Sequence, residues 1–166
     1  MQPHCLILRA AGTNCDLELE HAFRLAGATV TRVHISALIA HPALLEQADL
    51  VGLPGGFSYG DDIAAGRILA NRLRHHLFDP IRKAIDRGTP MIGICNGFQV
   101  LVKMGLLPDP HSAEQTVTLA DNATPRFVDR WVRLVVPTDT PCVWTKGLGE
   151  IELPIAHGEG RFAAAS

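Results

Sequence analysis

Cysteine is scarce in this sequence: Cys5, Cys15, Cys95 and Cys142 are the four, and no two form a C-x-x-C pair. Zinc-ligand spacing is therefore missing, and no histidine stands at metal spacing from a cysteine or carboxylate, so no metal is expected. No apolar stretch approaches the roughly 20 residues of a membrane helix, which excludes a membrane role of that kind. Met1 to Leu8 is too short and lacks the basic flank of a signal peptide, so a reducing cytoplasm is the expected compartment. Cysteines there are buried, ligating or catalytic. No long basic run occurs, and Lys plus Arg number 15 against 17 Asp plus Glu, a net charge of −2. A general nucleic-acid binder is excluded on that balance. Lysine is the scarcest charged residue, 3 against 12 arginines, which reads as genome composition and not as function. Internal repeats and low-complexity segments are absent too.

What remains is a globular chain of 166 residues, 47% hydrophobic and 19% charged. Those proportions exclude intrinsic disorder, and the length fits a single domain, residues 1–166, that buries about 70% of its unfolded surface. Residues 4–9 read as a first strand, followed by turn residues Gly12, Thr13 and Asn14. A helix opens at Asp16, with Leu19, Ala22, Phe23 and Ala26 at helical spacing and Gly27 as its stop. Asp16, Glu18 and Glu20 suit the positive end of its dipole. Residues 28–34 read as a second strand, 42–47 as a short helix, and 48–53 as a buried strand running into Pro54, Gly55 and Gly56. A helical pattern spans 63–77. Asp79 and Pro80 then read as the N-cap and first residue of a separate helix ending at Gly88. Residues 90–94 form another buried strand, and 97–104 another helix.

Short apolar strands alternating with amphipathic helices predict an α/β fold, three-layered, with a mostly parallel sheet and helices on both faces. Ligand sites in such sheets lie beyond the C-terminal ends of the strands, here 10–16, 54–62 and 95–99. After Pro108 the pattern changes to strand-like runs at 116–119, 131–136 and 151–155, expected as a mixed C-terminal extension of the sheet.

Three features carry chemistry. Gly93-Ile94-Cys95-Asn96-Gly97 lies where a buried strand turns into a helix, the G-x-nucleophile-x-G elbow with cysteine in place of serine. The helix N-terminus favours an anion at Cys95, and the Asn96 backbone N–H is placed to donate to an oxyanion. The bland alternative is a small buried cysteine. Pro54 to Asp62 is a glycine-rich loop one strand earlier, able to supply a second oxyanion donor or to be a plain turn. His157 and Glu159, two apart on a strand, can project together as base and orienting carboxylate, or belong to a turn or a substrate-contacting loop. Cys5 and Cys142 read as core or strand residues. Cys15 reads as structural, although its loop borders the same cleft.

Gly93 to Gln99, Pro54 to Asp61, Gly12 to Asp16 and Ala156 to Phe162 occur together and in this order. With them the sequence resembles, over essentially its whole length, the glutaminase family of phosphoribosylformylglycinamidine synthases. These are class I (triad) glutamine amidotransferases of purine biosynthesis, with a flavodoxin-like fold. The resemblance implies that Cys95 attacks the side-chain amide of L-glutamine, forming a γ-glutamyl thioester and releasing ammonia. It implies an oxyanion hole from the backbone of Gly55, Gly56 and Asn96. Gln99 is implied to contact glutamine, and His157 and Gly158 to line its pocket. It also implies delivery of the ammonia to a synthetase subunit, with a small accessory subunit in the same complex. No cofactor belongs to this chain; ATP and Mg are used by the synthetase partner.

One motif departs from the family. Its triad His and Glu come from a His-Pro-Glu string near the C-terminus, and none occurs here. His157 and Glu159 match the spacing but align with the Ala-His-Gly-Glu-Gly motif, so they are not assigned as the triad. The expectation is a domain that lacks its C-terminal His-Pro-Glu segment. A first strand starting at Met1 suggests a separate subunit, not part of a fused enzyme. A second reading is a non-catalytic subunit of the same fold acting in complex assembly. A third is a cysteine-elbow member of the related protease and chaperone superfamily, which leaves Phe57 to Asp61 and Phe98-Gln99 unexplained.

Overall fold

The computed structural model describes residues 2–112 and 114–165. The chain divides into two compact units, one running to Thr118 and including Ala165, the other Leu119–Ala164.

The first unit is built on a parallel sheet. Its strands are β1 (His4–Arg9), β2 (Thr29–His34), β3 (Leu50–Leu53) and β4 (Met91–Gly93), in the order β2-β1-β3-β4. β1 pairs with β2 from His4↔Thr29 to Arg9↔His34, and with β3 from Cys5↔Leu50. Its central residues Cys5, Leu6, Ile7 and Leu8 are all buried, as a strand covered on both faces requires. Leu6 and Leu8 join the main core with Val51, Leu53, Leu73, Leu77 and Val100. Ile7 points the other way, where it, Leu19 and Phe23 crowd round Gly52.

Six helical segments among the described residues connect and cover the strands, one of them a 3-10 turn at Ser58–Asp61. α1 (Asp16–Leu25) buries Asp16, Leu19 and Phe23; Ala22 and Ala26 stay exposed, so its apolar stripe is narrower than the spacing predicts. α2 (Ile35–Ala40) is not foreseen by the sequence reading. It is too short to show periodicity and starts because the His34 ring accepts a hydrogen bond from the Ser36 N–H. Residues Pro42–Gln47 form a 3-10 turn where a short helix is expected.

α3 (Arg67–Asp86) corrects the expectation of two helices broken at Asp79-Pro80. It is one helix with Pro80 inside it. Leu69, Ala70, Leu73, Leu77, Ile81 and Ala84 are buried along one continuous stripe. That stripe keeps helical phase through the proline, and its packing outweighs the single hydrogen bond that Pro80 cannot make. The helix starts at Arg67 and not at Ile63, because Gly66 takes a left-handed conformation (φ 73) just before it. α4 (Asn96–Lys103) follows β4 after two residues.

The later strands also need correction. They do not extend the four-stranded sheet but form separate two-stranded pairs: β5 (Val117–Ala120) with β8 (Arg161–Ala164), and β6 (Val128–Val135) with β7 (Glu150–His157). The β6–β7 pair is antiparallel, in a register from Val128↔His157 to Val135↔Glu150. β8 was not anticipated. Cys142, expected in a core or strand, is exposed in the loop between β6 and β7, where its N–H donates to Thr140 Oγ1 after Pro141. No helix among the described residues is long and apolar enough to cross a membrane.

Candidate active site

The elbow has the geometry its glycines permit. Cys95 follows β4, immediately before α4, with φ 52 and ψ −110. That is a left-handed conformation, which a non-glycine residue rarely adopts outside functional sites. Gly93 and Gly97 let the strand and helix approach. A Cβ on Gly97 would overlap the Leu53 carbonyl oxygen, and one on Gly93 would lie 2.6 Å from the Gly97 oxygen. The Ile94 N–H donates to the Leu53 oxygen (3.0 Å), joining the elbow to the end of β3. Cys95 is thereby exposed at the C-terminal edge of the sheet, while Asn96 behind it is buried.

The Pro54–Asp62 loop lies beside it. A Cβ on Gly55 would stand 3.4 Å from Cys95 Cβ and 3.6 Å from Cys15 Sγ, so both thiols flank the same glycine. The loop is laid against residues 11–15. Phe57 N–H donates to the Gly12 oxygen (2.9 Å), Tyr59 N–H to the Ala11 oxygen (2.8 Å) and Cys15 N–H to the Gly55 oxygen (3.3 Å). Gly56 pairs with Thr13 at φ 137, a conformation favouring glycine. The N–H groups of Gly56 and Asn96 donate to no acceptor among the described residues. A developing oxyanion needs donors of this kind.

Beyond Gly56 the loop makes an arch. Tyr59 (φ 56), Gly60 (φ 73) and Asp61 (φ 53) are left-handed in succession. That backbone costs about 1–2 kcal/mol at each non-glycine residue, and side-chain contacts hold it. Tyr59 Oη accepts from Arg72 Nη1 at 2.6 Å, and the guanidinium lies 5.6 Å from the ring centroid. Asp61 Oδ1 accepts from the Gly66 N–H (3.0 Å) and from Asn96 Nδ2 (3.1 Å). Asn96 Nδ2 also donates to Gln99 Oε1 (3.2 Å), and Asn96 Oδ1 accepts from the Ser58 N–H (3.2 Å). The structure thus brings together five of the residues singled out by sequence: Cys95, Asn96, Gln99, Gly55 and Gly56. It adds Ser58 and Asp61, which lay inside the glycine-rich loop but gave no signal of their own, because their partner is 38 and 35 residues away.

Cys15 follows the turn and precedes α1. Burial, then Glu18, Cys95 and Asp16, push its thiol pKa up. Asp16 owes its burial to ion pairs with Arg32 Nη1 (2.8 Å) and Arg9 Nε (3.4 Å). Two arginines hold this carboxylate, beyond the dipole preference read from sequence.

His157 and Gly158 lie in the second unit, at the end of β7 and just after it. His157 Nδ1 pairs with Asn122 Oδ1 (2.8 Å), Asn122 Nδ2 donates to the His157 oxygen (2.9 Å), and Asn122 N–H to the Gly158 oxygen (3.0 Å). Because an amide oxygen only accepts, this pairing puts the proton on Nδ1. Asn122 was not foreseen, being 35 residues from its partner. No group of three or more His, Cys, Asp or Glu side chains among the described residues is arranged to hold a metal ion.

Residues 2–166 match a protein family described as the CobB/CobQ-like glutamine amidotransferase domain. The chain is 49% identical over 157 residues to the phosphoribosylformylglycinamidine synthase subunit PurQ of Dehalococcoides mccartyi, covering 95% of this chain and 62% of that protein. It is 43% identical over 164 residues to the subunit of the same name in Methanococcus maripaludis, covering 98% and 61%. A chain in the structure of PurLQS from Thermotoga maritima superposes with a TM-score of 0.79 at 34% identity, over 100% of this chain and 71% of that one. The chain spans about three fifths of the length of the curated relatives it matches.

Proposed function

The chain belongs to the CobB/CobQ-like glutamine amidotransferase family, and on that premise we propose that it is the glutaminase part of a phosphoribosylformylglycinamidine synthase. The observation that carries this reading is the strained, exposed Cys95 at a strand-to-helix turn, beside two backbone N–H groups without acceptors among the described residues. Cys95 Sγ attacks the side-chain amide carbon of L-glutamine. Charge collects on the amide oxygen, where the Gly56 and Asn96 N–H groups face it, and Gly55 gives the substrate room between the two thiols. Collapse of the tetrahedral adduct breaks the C–N bond and releases ammonia as the γ-glutamyl thioester forms. Water then attacks the thioester and frees glutamate and the thiol. Proton transfer in these steps needs a general acid and base, help worth about 10²–10⁴-fold. Gln99 is the side chain assigned to the glutamine substrate.

The ammonia goes to an ATP- and Mg-dependent synthetase partner that makes formylglycinamidine ribonucleotide, with a small accessory subunit completing the complex in the cytoplasm. The chain itself uses no cofactor in this reading. Similarity to proteins named as synthase subunits supports the partnership. The alternative is an amidotransferase-fold subunit acting only in assembly.

Treatment with a chloromethyl ketone analogue of glutamine, followed by peptide mass spectrometry, separates the two. The expected result is modification at Cys95 alone, prevented by glutamine. No modification, or equal modification of Cys5, Cys15 and Cys142, would overturn the catalytic reading and leave the assembly role.

A further inference from the structure

We propose that Asp61 is a positioning residue for the glutaminase chemistry, an inference that rests on the function proposed above. Its carboxylate sets the orientation of the Asn96 amide, and through it the Asn96 backbone N–H and the Gln99 side chain.

The argument starts from what each group can do. A carboxylate only accepts hydrogen bonds, whereas an asparagine amide donates at one end and accepts at the other. Asp61 Oδ1, 3.1 Å from Asn96 Nδ2, therefore forces the amide nitrogen toward the loop arch. Asn96 Oδ1 is then left to accept the Ser58 N–H, as it does at 3.2 Å. The same nitrogen gives a hydrogen to Gln99 Oε1 (3.2 Å), which decides the end of the Gln99 amide that faces Asn96. One acceptor-only group thus orients two amides in sequence. Asn96 is 3% exposed, so its own amide is shielded from solvent at these part-buried bonds.

The backbone supports the assignment. Asp61 stands at φ 53, next to Gly60 at φ 73. Glycine would occupy that conformation without strain. What aspartate adds is the oxygen that accepts from both Gly66 N–H and Asn96. These bonds join the loop bearing Gly55 and Gly56 to the first residue of α4, which bears the other oxyanion donor. Displacing a donor by a fraction of an ångström weakens only a step in which oxygen gains charge.

Two reagents at Cys95 read that difference. The Cys95 sulfur adds to the carbonyl of a glutamine chloromethyl ketone to give an alkoxide, then bonds the adjacent CH2 carbon as the carbonyl re-forms, the C–Cl bond breaks and chloride leaves. With iodoacetamide the sulfur displaces iodide at a saturated carbon and no alkoxide forms. Asp61→Gly relieves the backbone strain and removes the acceptor. It is expected to lower the ratio of maximal chloromethyl ketone inactivation rate to half-saturation concentration about 10- to 100-fold, because the oxyanion donor and the Gln99 amide are both released. Its iodoacetamide rate should stay within about threefold of the parent. Asp61→Asn keeps an acceptor oxygen and tolerates the left-handed backbone, so it should restore most of the rate. In the double variant with Asn96→Ala, Asp61→Gly should add nothing, because it acts through Asn96.

Equal slowing of both reagents, no slowing by either, or full additivity with Asn96→Ala would overturn the inference. Should Asp61→Gly fail to fold, Asn96→Ala alone decides from the other end of the same bond: selective loss of the ketone reaction supports the inference, and parallel loss of both rates refutes it. The parent protein separates this from failure of the function itself. If glutamine does not protect Cys95 in the parent, the catalytic reading falls and the positioning role falls with it. If protection holds in the parent and Asp61→Gly behaves like it, only the positioning role falls.

Discussion

Cys5 and Cys142 carry the same side chain into opposite surroundings. Cys5 lies inside β1 and is fully buried, and burial pushes its thiol pKa up to about 12. Cys142 is exposed, and the hydrogen bond from the Thr145 side chain, helped by the backbone N–H groups of Trp144 and Thr145, pulls its pKa below the ordinary 9.0. Cys15 is exposed too, but its pKa is raised by burial and neighbouring anions. Thiolate is the reacting form, so alkylation with iodoacetamide near neutral pH should modify Cys142 faster than Cys15 and leave Cys5 untouched until the protein unfolds. Time-resolved peptide mass spectrometry measures the order; Cys15 reacting ahead of Cys142 would contradict these environments. The sequence could not rank the three. It placed Cys5 correctly because a strand of apolar neighbours buries whatever it contains, but it misplaced Cys142, whose surroundings depend on a turn after Pro141.

At the scale of elements, α3 shows packing overriding a local signal. Asp79-Pro80 is a good helix start in isolation. Here Leu73, Leu77, Ile81 and Ala84 continue one buried stripe across it, and the core selects the continuous helix. Pro80 still withholds one backbone donor. Pro80→Ala should therefore stabilise the protein by about 1–3 kcal/mol, somewhat offset by the freer unfolded chain. Urea unfolding followed by circular dichroism tests this, and a neutral or negative change would mean that the helix is already relaxed around the proline. α2 and the β6–β7 pair teach the complementary lesson. Six residues are too few for periodicity to declare a helix, and alternation on β6 and β7 declares strands without saying which strand each will join.

For the whole molecule, the buried Cys5 ties folding to alkaline pH. Unfolded, its thiol titrates at its ordinary 9.0; folded, at about 12. As pH rises the unfolded chain loses its proton first, so stability is complete below pH 9.0 and declines from there toward about 12. Melting temperatures across that window should fall more steeply for the parent than for Cys5→Ala. The variant loses some packing at every pH but removes the titration. An unchanged slope would show that other groups govern alkaline unfolding.

The sequence alone determined the alternation of β1 to β4 with helices, the exposed elbow at Cys95 and the loop of Gly55 and Gly56. Each follows from local rules: apolar runs bury, and a strand-to-helix turn this sharp demands glycine on both sides. The tertiary structure alone decided which polar side chains meet. Asp61 reaches Asn96 across 35 residues, Asn122 reaches His157 across another 35, and Arg32 reaches Asp16 across 16. Burial periodicity is written along the chain, because it depends on each residue's own transfer from water. Hydrogen-bond partners are not, because they depend on which segments the sheet order brings side by side.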